Sequence, residues 1–279
     1  MAHYTIRTLE VGSDPHFPAG VAFDFWHMAA EQVYSQFSMT LLQGEGHNIL
    51  YDCGIDPDSA FAKAKIAQEG DQNCHNTREV LESIGLQPED IDAVVISHCH
   101  WDHISGLGFL PNAKVYVQRK ELESWLRAAY DENFPLTHKS VIDPESLEYL
   151  QALNEQGRVV LLDGDVDELF PGLHIRCACG HSYAQNLLLV DDDQGRFAIV
   201  GDAAMRPESF VGTEQFPCFL PNLKFAVGTI EEILASYRLI MDWVQGVVGH
   251  IVMAHDGSRI EHFPSERTAL GLCVSTINN

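Results

Sequence analysis

The sequence predicts an α+β fold in which two β-sheets lie face to face with helices on the outside. Three observations lead there. Short apolar runs rich in β-branched residues alternate with longer helical patterns along the 279 residues. The second half partly echoes the first: strands, then a helix, then a strand that ends in a histidine. No linker or low-complexity segment separates the halves, so one domain, 1–279, is expected.

Residues 4–11 alternate as a first strand. Residues 12–36 read as an irregular connection carrying Phe17, Phe23, Phe25, Trp26, Met28 and Tyr34. So long and aromatic a connection is expected to wall a binding site, to cap the core, or both. Phe37–Leu42 and His47–Asp52 flank Gly44-Glu45-Gly46, a hairpin pattern. The second of these strands runs into Asp52-Cys53-Gly54, which fits either support for a neighbouring ligand loop or a plain turn.

Helices are expected over 58–68 and 76–85, the second capped by Asn76-Thr77 and Gly85. Ala93-Val94-Val95-Ile96 is a core strand. After a motif treated below, Ser105-Gly106-Leu107-Gly108 is expected to let the backbone pass close to bound metals. A strand over 113–118 and a helix over 120–130 follow. Residues 131–145, with Phe134, Pro135 and His138, are irregular. A helix is expected over 146–156 and strands over 158–162, 173–179, 186–191 and 197–201. Residues 205–224, with Met205, three prolines and three phenylalanines, are irregular again. Thr229–Gln245 is an amphipathic helix, Val247–Ala254 a core strand, and 264–273 a short closing helix.

Composition narrows the function. The chain is 46% hydrophobic and 20% charged, as ordinary globular proteins are. Its formal net charge of −23 would repel a phosphate backbone, so nucleic acid is excluded as a partner. No stretch is apolar enough to span a membrane. The start, Met1-Ala2-His3-Tyr4-Thr5-Ile6-Arg7, lacks a basic-then-apolar signal, so the cytoplasm is the expected location. The seven cysteines have no framework spacing and are expected as reduced thiols, Cys177-Ala178-Cys179 among them as packing residues.

Directly after the Ala93–Ile96 strand stands Ser97-His98-Cys99-His100-Trp101-Asp102-His103, an H-x-H-x-D-H motif. Alternate residues of an extended stretch project to one side, so His98 and His100 can share one metal ion. Asp102 and His103 follow a bend and can face a second. Imidazole suits zinc; a carboxylate suits a harder cation or a shared position. Cys99 and Trp101 alternate with the ligands and are expected to pack. Three later strand ends have the same form. Gly180-His181 follows Ile175–Cys179, Gly201-Asp202 follows Phe197–Val200, and Ala254-His255 follows Ile251–Met253.

With these residues in this order, nearly the whole chain resembles the metallo-β-lactamase superfamily. The resemblance implies a four-layer αββα sandwich with two metals at one edge. It implies that His98, His100 and His181 hold one metal, that Asp102, His103 and His255 hold the other, and that Asp202 bridges them. The iron-containing oxidoreductase branch has a glutamate where His100 stands, so two Zn2+ are favoured, with Mn2+ or Fe2+ as substitutes. Two metals can share one water and lower its pKa towards about 7. The implied chemistry is attack of that bridging hydroxide on a carbonyl, with Asp102 shuttling the proton.

Within the superfamily the chain is similar to lactonases that open N-acyl-homoserine lactones. The similar stretches are the hairpin ending Tyr51-Asp52-Cys53-Gly54, the segment from Ile84-Gly85-Leu86 to Asp92, and Gly201-Asp202-Ala203-Ala204. Two positions depart from that group. Met205 stands where those enzymes have a tyrosine, and Ser182-Tyr183-Ala184-Gln185-Asn186 replaces a second glycine-histidine pair. Tyr183 and His138 are the candidates to supply the missing polar contact. Phe25 and Trp26 are expected in the substrate pocket with Met205.

The expected activity is therefore opening of a small cyclic ester (lactone), with a small molecule as the partner and a homo-oligomer allowed. A cyclic amide, thioester or phosphodiester hydrolase on the same two-metal site is the alternative. A non-catalytic binding protein is the other class, and the complete ligand set argues against it.

Overall fold

A computed structural model describes residues 2–23, 28, 30–214, 217–223 and 225–278. In chain order the strands are β1 (Tyr4–Pro18), β2 (Gln32–Gly44), β3 (His47–Tyr51), β4 (Ala93–Val95), β5 (Lys114–Gln118), β6 (Val159–Leu162), β7 (Val166–Phe170), β8 (Leu173–Ala178), β9 (Gln185–Asp192), β10 (Gly195–Gly201), β11 (Ile251–Met253), β12 (Ser265–Arg267) and β13 (Cys273–Thr276). The helices are α1 (Ala19–Ala22), α2 (Ala60–Glu69), α3 (Thr77–Ser83), α4 (Trp101–Ile104), α5 (Arg119–Tyr130), α6 (Leu136–Lys139), α7 (Pro144–Glu155), α8 (Glu208–Val211) and α9 (Ile230–Trp243).

One sheet runs β12-β13-β1-β2-β3-β4-β5-β6 and the other β11-β10-β9-β8-β7. The strand period of two sets the layers. Ala93 and Val95 of β4 face inward, where they join Ile6, Leu42, Ile175, Leu188 and Ile199 in the layer between the sheets. Val94 faces outward and packs with Val80 of α3, Trp125 of α5 and Leu147 of α7. On the second sheet, Leu187 and Leu189 face outward to Ile233, Tyr237 and Ile240 of α9. Both faces of each sheet are therefore covered, which is why the central strands are continuous apolar runs. This is the expected αββα sandwich.

Three expectations need correction. Residues 12–36 are not simply irregular. β1 continues to Pro18 and pairs antiparallel with a β2 that begins at Gln32, with Gly12 opposite Phe37 and Pro18 opposite Gln32. Register shifts at Glu10/Gly12 and Asp14/Phe17 break the alternation that would have announced this arm. Residues 264–273 form no helix; β12 and β13 pair there instead, with Arg267 opposite Cys273. β12 is exposed throughout, so it has no apolar face to signal a strand. The strand expected over 247–254 is shorter, because Val248–His250 is a 3-10 turn.

β7 was not foreseen; its partly exposed edge position hides it. Phe25 and Trp26 lie outside the described residues. Among the described residues no helix is long and apolar enough to cross a membrane.

Candidate metal centre

The candidate ligands all leave the carboxyl ends of strands. β3, β4 and β5 are parallel, and Asp52 follows β3 while Ser97-His98 follows β4. β10 and β11 are parallel, with Gly201 opposite Met253, so Asp202 and His255 emerge close to one another. His181 follows β8. Asn186 ties the two sheets at this rim: its N–H donates to Ser97 O at 2.8 Å and its amide Nδ2 to Ile96 O at 2.7 Å.

Two ligand groups form there, and their ligand atoms lie within 4.8 Å of one another in each. One is His98, His100, His181 and Asp202; the other is Asp102, His103 and His255. His181 Nε2 lies 3.2 Å from His98 Nε2 and 3.3 Å from His100 Nδ1. His255 Nε2 and His103 Nε2 lie 3.4 and 3.5 Å from Asp102 Oδ2. Asp202 faces both groups. Its Oδ2 is 3.6 Å from His181 and 3.9 Å from His98, while its Oδ1 is 3.2 Å from His255 and 3.3 Å from His103.

These spacings fit a cation. Ligands about 2.0–2.1 Å from a tetrahedral ion stand roughly 3.3–3.4 Å apart. Moreover, His103 Nε2 and Asp202 Oδ1 are buried and have no hydrogen-bond partner among the described residues. Two acceptors held this close need a positive charge between them.

The far nitrogens fix the tautomers. His103 Nδ1 lies 2.7 Å from Asp52 Oδ2, and His255 Nδ1 lies 2.8 Å from the carbonyl of Gln36. Both must donate, which leaves each Nε2 as a lone pair facing the site. His98 Nδ1 is 2.8 Å from Ser97 Oγ, whose hydroxyl donates to Asp52 at 2.8 Å. Asp52 also accepts the Ser97 N–H at 2.7 Å. Asp52 holds a left-handed φ of 61° to do this.

Glu121, at the start of α5, was not singled out in the sequence. It is fully buried and accepts the N–H of Cys99 at 3.0 Å, Trp125 Nε1 at 2.7 Å and the N–H of Ala184 at 2.8 Å, together with the Ser182 hydroxyl. It thus ties the H-x-H-x-D-H loop to the His181 loop. An acid four residues before a tryptophan on an apolar helix face was the available signal. Gly106 serves packing rather than clearance over metals: a Cβ there would stand 1.9 Å from Cys53 O.

Burial pulls the imidazoles of His98 and His100 well below their usual range and His181 down to about 4, reinforced by neighbouring histidines. These three are neutral, the ligating form. Burial also opposes charge on His103 and His255, but Asp102 and Asp202 outweigh it and raise both. Burial alone would raise Asp202; the charges of His255 and His103 hold it well below the carboxylate range. Without a metal, protons on these two histidines supply the positive charge the site demands.

The sequence profile of the Metallo-beta-lactamase superfamily matches residues 36–235. The chain belongs to that superfamily. It is a metal-dependent hydrolase of that superfamily, and its His/Asp cluster is a divalent-metal site. The N-acyl homoserine lactonase AiiA of Bacillus thuringiensis subsp. kurstaki is 28% identical over 213 residues, 72% of this chain and 77% of the relative. AiiB of Agrobacterium fabrum is 27% identical over 177 residues, 60% of this chain and 62% of the relative. Among solved structures, an N-acyl homoserine lactone hydrolase with N-hexanoyl-L-homoserine bound at its catalytic metal center superposes with a TM-score of 0.66 at 21% identity, over 94% of this chain and 96% of that one. A probable metal-dependent hydrolase from Staphylococcus aureus superposes with a TM-score of 0.67 at 18% identity, covering 91% and 89%.

In this superfamily member a cavity of about 320 Å³ opens over the two groups, with His100, Asp102, His181, Asp202 and His255 in its floor. Its walls are mainly apolar, from Phe17, Val21, Phe37, Trp101, Val141 and Met205. Tyr183 and His138 are not among its lining residues. Tyr183 packs against Trp125 with ring centroids 5.1 Å apart, and His138 Nε2 lies 3.1 Å from the carbonyl of Ala226. Neither candidate for the missing polar contact therefore lines the cavity, whereas Met205, at the tyrosine position, does.

Proposed function

We propose that this enzyme opens a small cyclic ester, a lactone, and that it does so with two zinc ions. His98, His100 and His181 hold one ion, Asp102, His103 and His255 the other, and Asp202 joins them. The observation that carries the reading is the division of Asp202, one carboxylate oxygen toward each histidine group. Five imidazoles among seven ligands favour zinc over manganese or iron.

When bound, the cations supply Lewis acidity for the carbonyl and lower the pKa of a water towards about 7. The chain's own residues do the rest. Asp52 and the Gln36 carbonyl hold His103 and His255 with Nε2 free. Asp102 lines the cavity, so its carboxylate takes the proton of the attacking water and returns it to the leaving oxygen. Phe37, Trp101 and Val141 exclude bulk water and receive the apolar part of the substrate. The bound hexanoyl-homoserine in the structural relative and the lactonase relatives support the choice of a lactone.

The test is metal analysis followed by assay. Zinc-reloaded protein should hold two equivalents and turn over lactones faster than lactams, thioesters or phosphodiesters. Preference for one of the latter three would replace the substrate class. Two bound metals with no turnover across the panel would make the chain a binding protein.

A further inference from the structure

Away from the metal centre, the cavity wall carries a buried carboxylate with no partner among the described residues, Asp71. α2 is capped at Gly70 in a left-handed turn, φ 85°, and the next residue, Asp71, lines the cavity. The segment is pinned to the β1 arm: Gln72 N–H donates to Ser13 O at 2.7 Å and Ser13 N–H to Gln72 O at 3.0 Å. Asp71 is only 9% exposed, and neither of its carboxylate oxygens has a hydrogen-bond partner among the described residues.

Its neighbours on the wall do not satisfy it. Lys65 directs its ammonium to Glu69, and Asp14 accepts the N–H of His16 at 2.8 Å. Three carboxylates, Asp14, Glu69 and Asp71, thus share the single ammonium of Lys65 on this part of the lining. A buried acceptor without a donor costs stability unless a ligand supplies one. Apart from Ser35 the remaining wall is apolar and aromatic, so the ligand that fits has an apolar body and one cationic donor.

We propose that Asp71 binds an ammonium group carried by the substrate beyond its scissile ring, so that amino-bearing esters are selected over purely apolar ones. The inference rests on the hydrolase reading of the metal centre that shares the cavity. Burial first, then the charges of Glu69, Asp14 and Asp102, raise the Asp71 carboxyl to about 7, with Lys65 offsetting part of the rise. An incoming ammonium reverses that penalty. The −23 net charge of the chain favours approach of a cation further.

The experiment compares two acyl-homoserine lactones, one with a hexanoyl chain and one whose hexanoyl chain ends in a primary amine, and the ring-opened form of each. The zinc-loaded full chain should bind the amine-ended ring-opened ligand about tenfold more tightly than the methyl-ended one, as a charge-assisted hydrogen bond gives. Asp71→Asn should bring that ratio close to one at unchanged metal content. Equal affinities in the wild type overturn the proposal, and this comparison needs no variant. A preference retained in Asp71→Asn overturns it too. Failure to turn over either lactone removes the ester-opening reading instead, while the binding ratio, which needs no turnover, still decides the role of Asp71.

Discussion

His103 donates its Nδ1–H to Asp52 across 2.7 Å, and both side chains are buried from solvent. The contact joins the end of β3 to the H-x-H-x-D-H loop and aims His103 Nε2 at Asp202. Asp52→Asn disrupts it in either orientation. If the amide nitrogen faces His103, the ring must move its proton to Nε2, where a metal would sit. If the amide oxygen faces His103, the nitrogen meets the Ser97 N–H, donor against donor. We expect a loss of roughly 10–100-fold in metal affinity, the usual scale for such supporting contacts. Competition against a chelator measures it; unchanged affinity would show that Asp52 does not set the tautomer.

Asp202→Ala removes the side chain that, among the described residues, faces both histidine groups. Binding of both ions should weaken and turnover should vanish. Elemental analysis after dialysis, paired with a rate measurement, gives the result. Loss of a single equivalent with the other retained would argue that Asp202 belongs to one group only.

Glu121→Ala leaves three buried donors, from Cys99, Ser182 and Ala184, without their acceptor, while Trp125 Nε1 keeps the Ser182 hydroxyl at 2.7 Å. At roughly 1–3 kcal/mol for an unsatisfied buried group, the fold should lose at least ~3 kcal/mol. The metal-loops also lose their shared anchor, so metal affinity should fall with stability. Urea denaturation with and without zinc separates the two effects. A stability loss with undiminished metal affinity would make Glu121 a fold residue alone.

Why the candidate ligands are legible and Glu121 is not follows from how each is encoded. His98, His100, Asp102 and His103 fall within six residues, and His181, Asp202 and His255 each sit one or two residues past an apolar run, so local pattern exposes them. Asp52 also ends a strand, which marks it as either a support or a plain turn; the contact with His103 decides for the support. Glu121 acts through contacts as much as 63 residues away in sequence, and locally only its spacing to Trp125 sets it apart from an ordinary helix carboxylate. The β1–β2 arm was lost for a related reason. Its pairing is long-range, and its glycine, proline and bulges remove the alternation that signals a strand. β12 failed because an exposed polar edge is specified by its partner, β13, rather than by its own side chains.

Met205 is buried and lines the cavity where the lactonase group is expected to carry a tyrosine. A hydroxyl there can donate to the substrate oxygen as charge builds. A well-placed donor is worth 10²–10³-fold in rate, so Met205→Tyr, without a refined setting, should raise lactone kcat/KM by about tenfold. An unchanged rate with intact metal content would show that another group already serves that oxygen, or that the substrate is not a lactone.

Asp71 also makes the fold itself sensitive to pH. The folded chain holds the Asp71 proton up to about 7, because burial and the facing carboxylates of Glu69, Asp14 and Asp102 outweigh Lys65. The unfolded chain releases it near ~3.9. Between those values the folded state binds more protons than the unfolded one, so this group costs stability as pH rises through the window. Asparagine cannot ionise. Asp71→Asn should therefore match the wild type near about pH 4, pull ahead as the pH rises, and keep a constant lead above about pH 7. Each ~1 kcal/mol of that lead moves the unfolding midpoint of a chain this size by about 2 °C. Midpoints recorded from roughly pH 5 to roughly pH 8 give the curve. A lead that does not grow with pH would mean that Asp71 is already ionised in the folded protein, held by a partner the cavity wall does not supply.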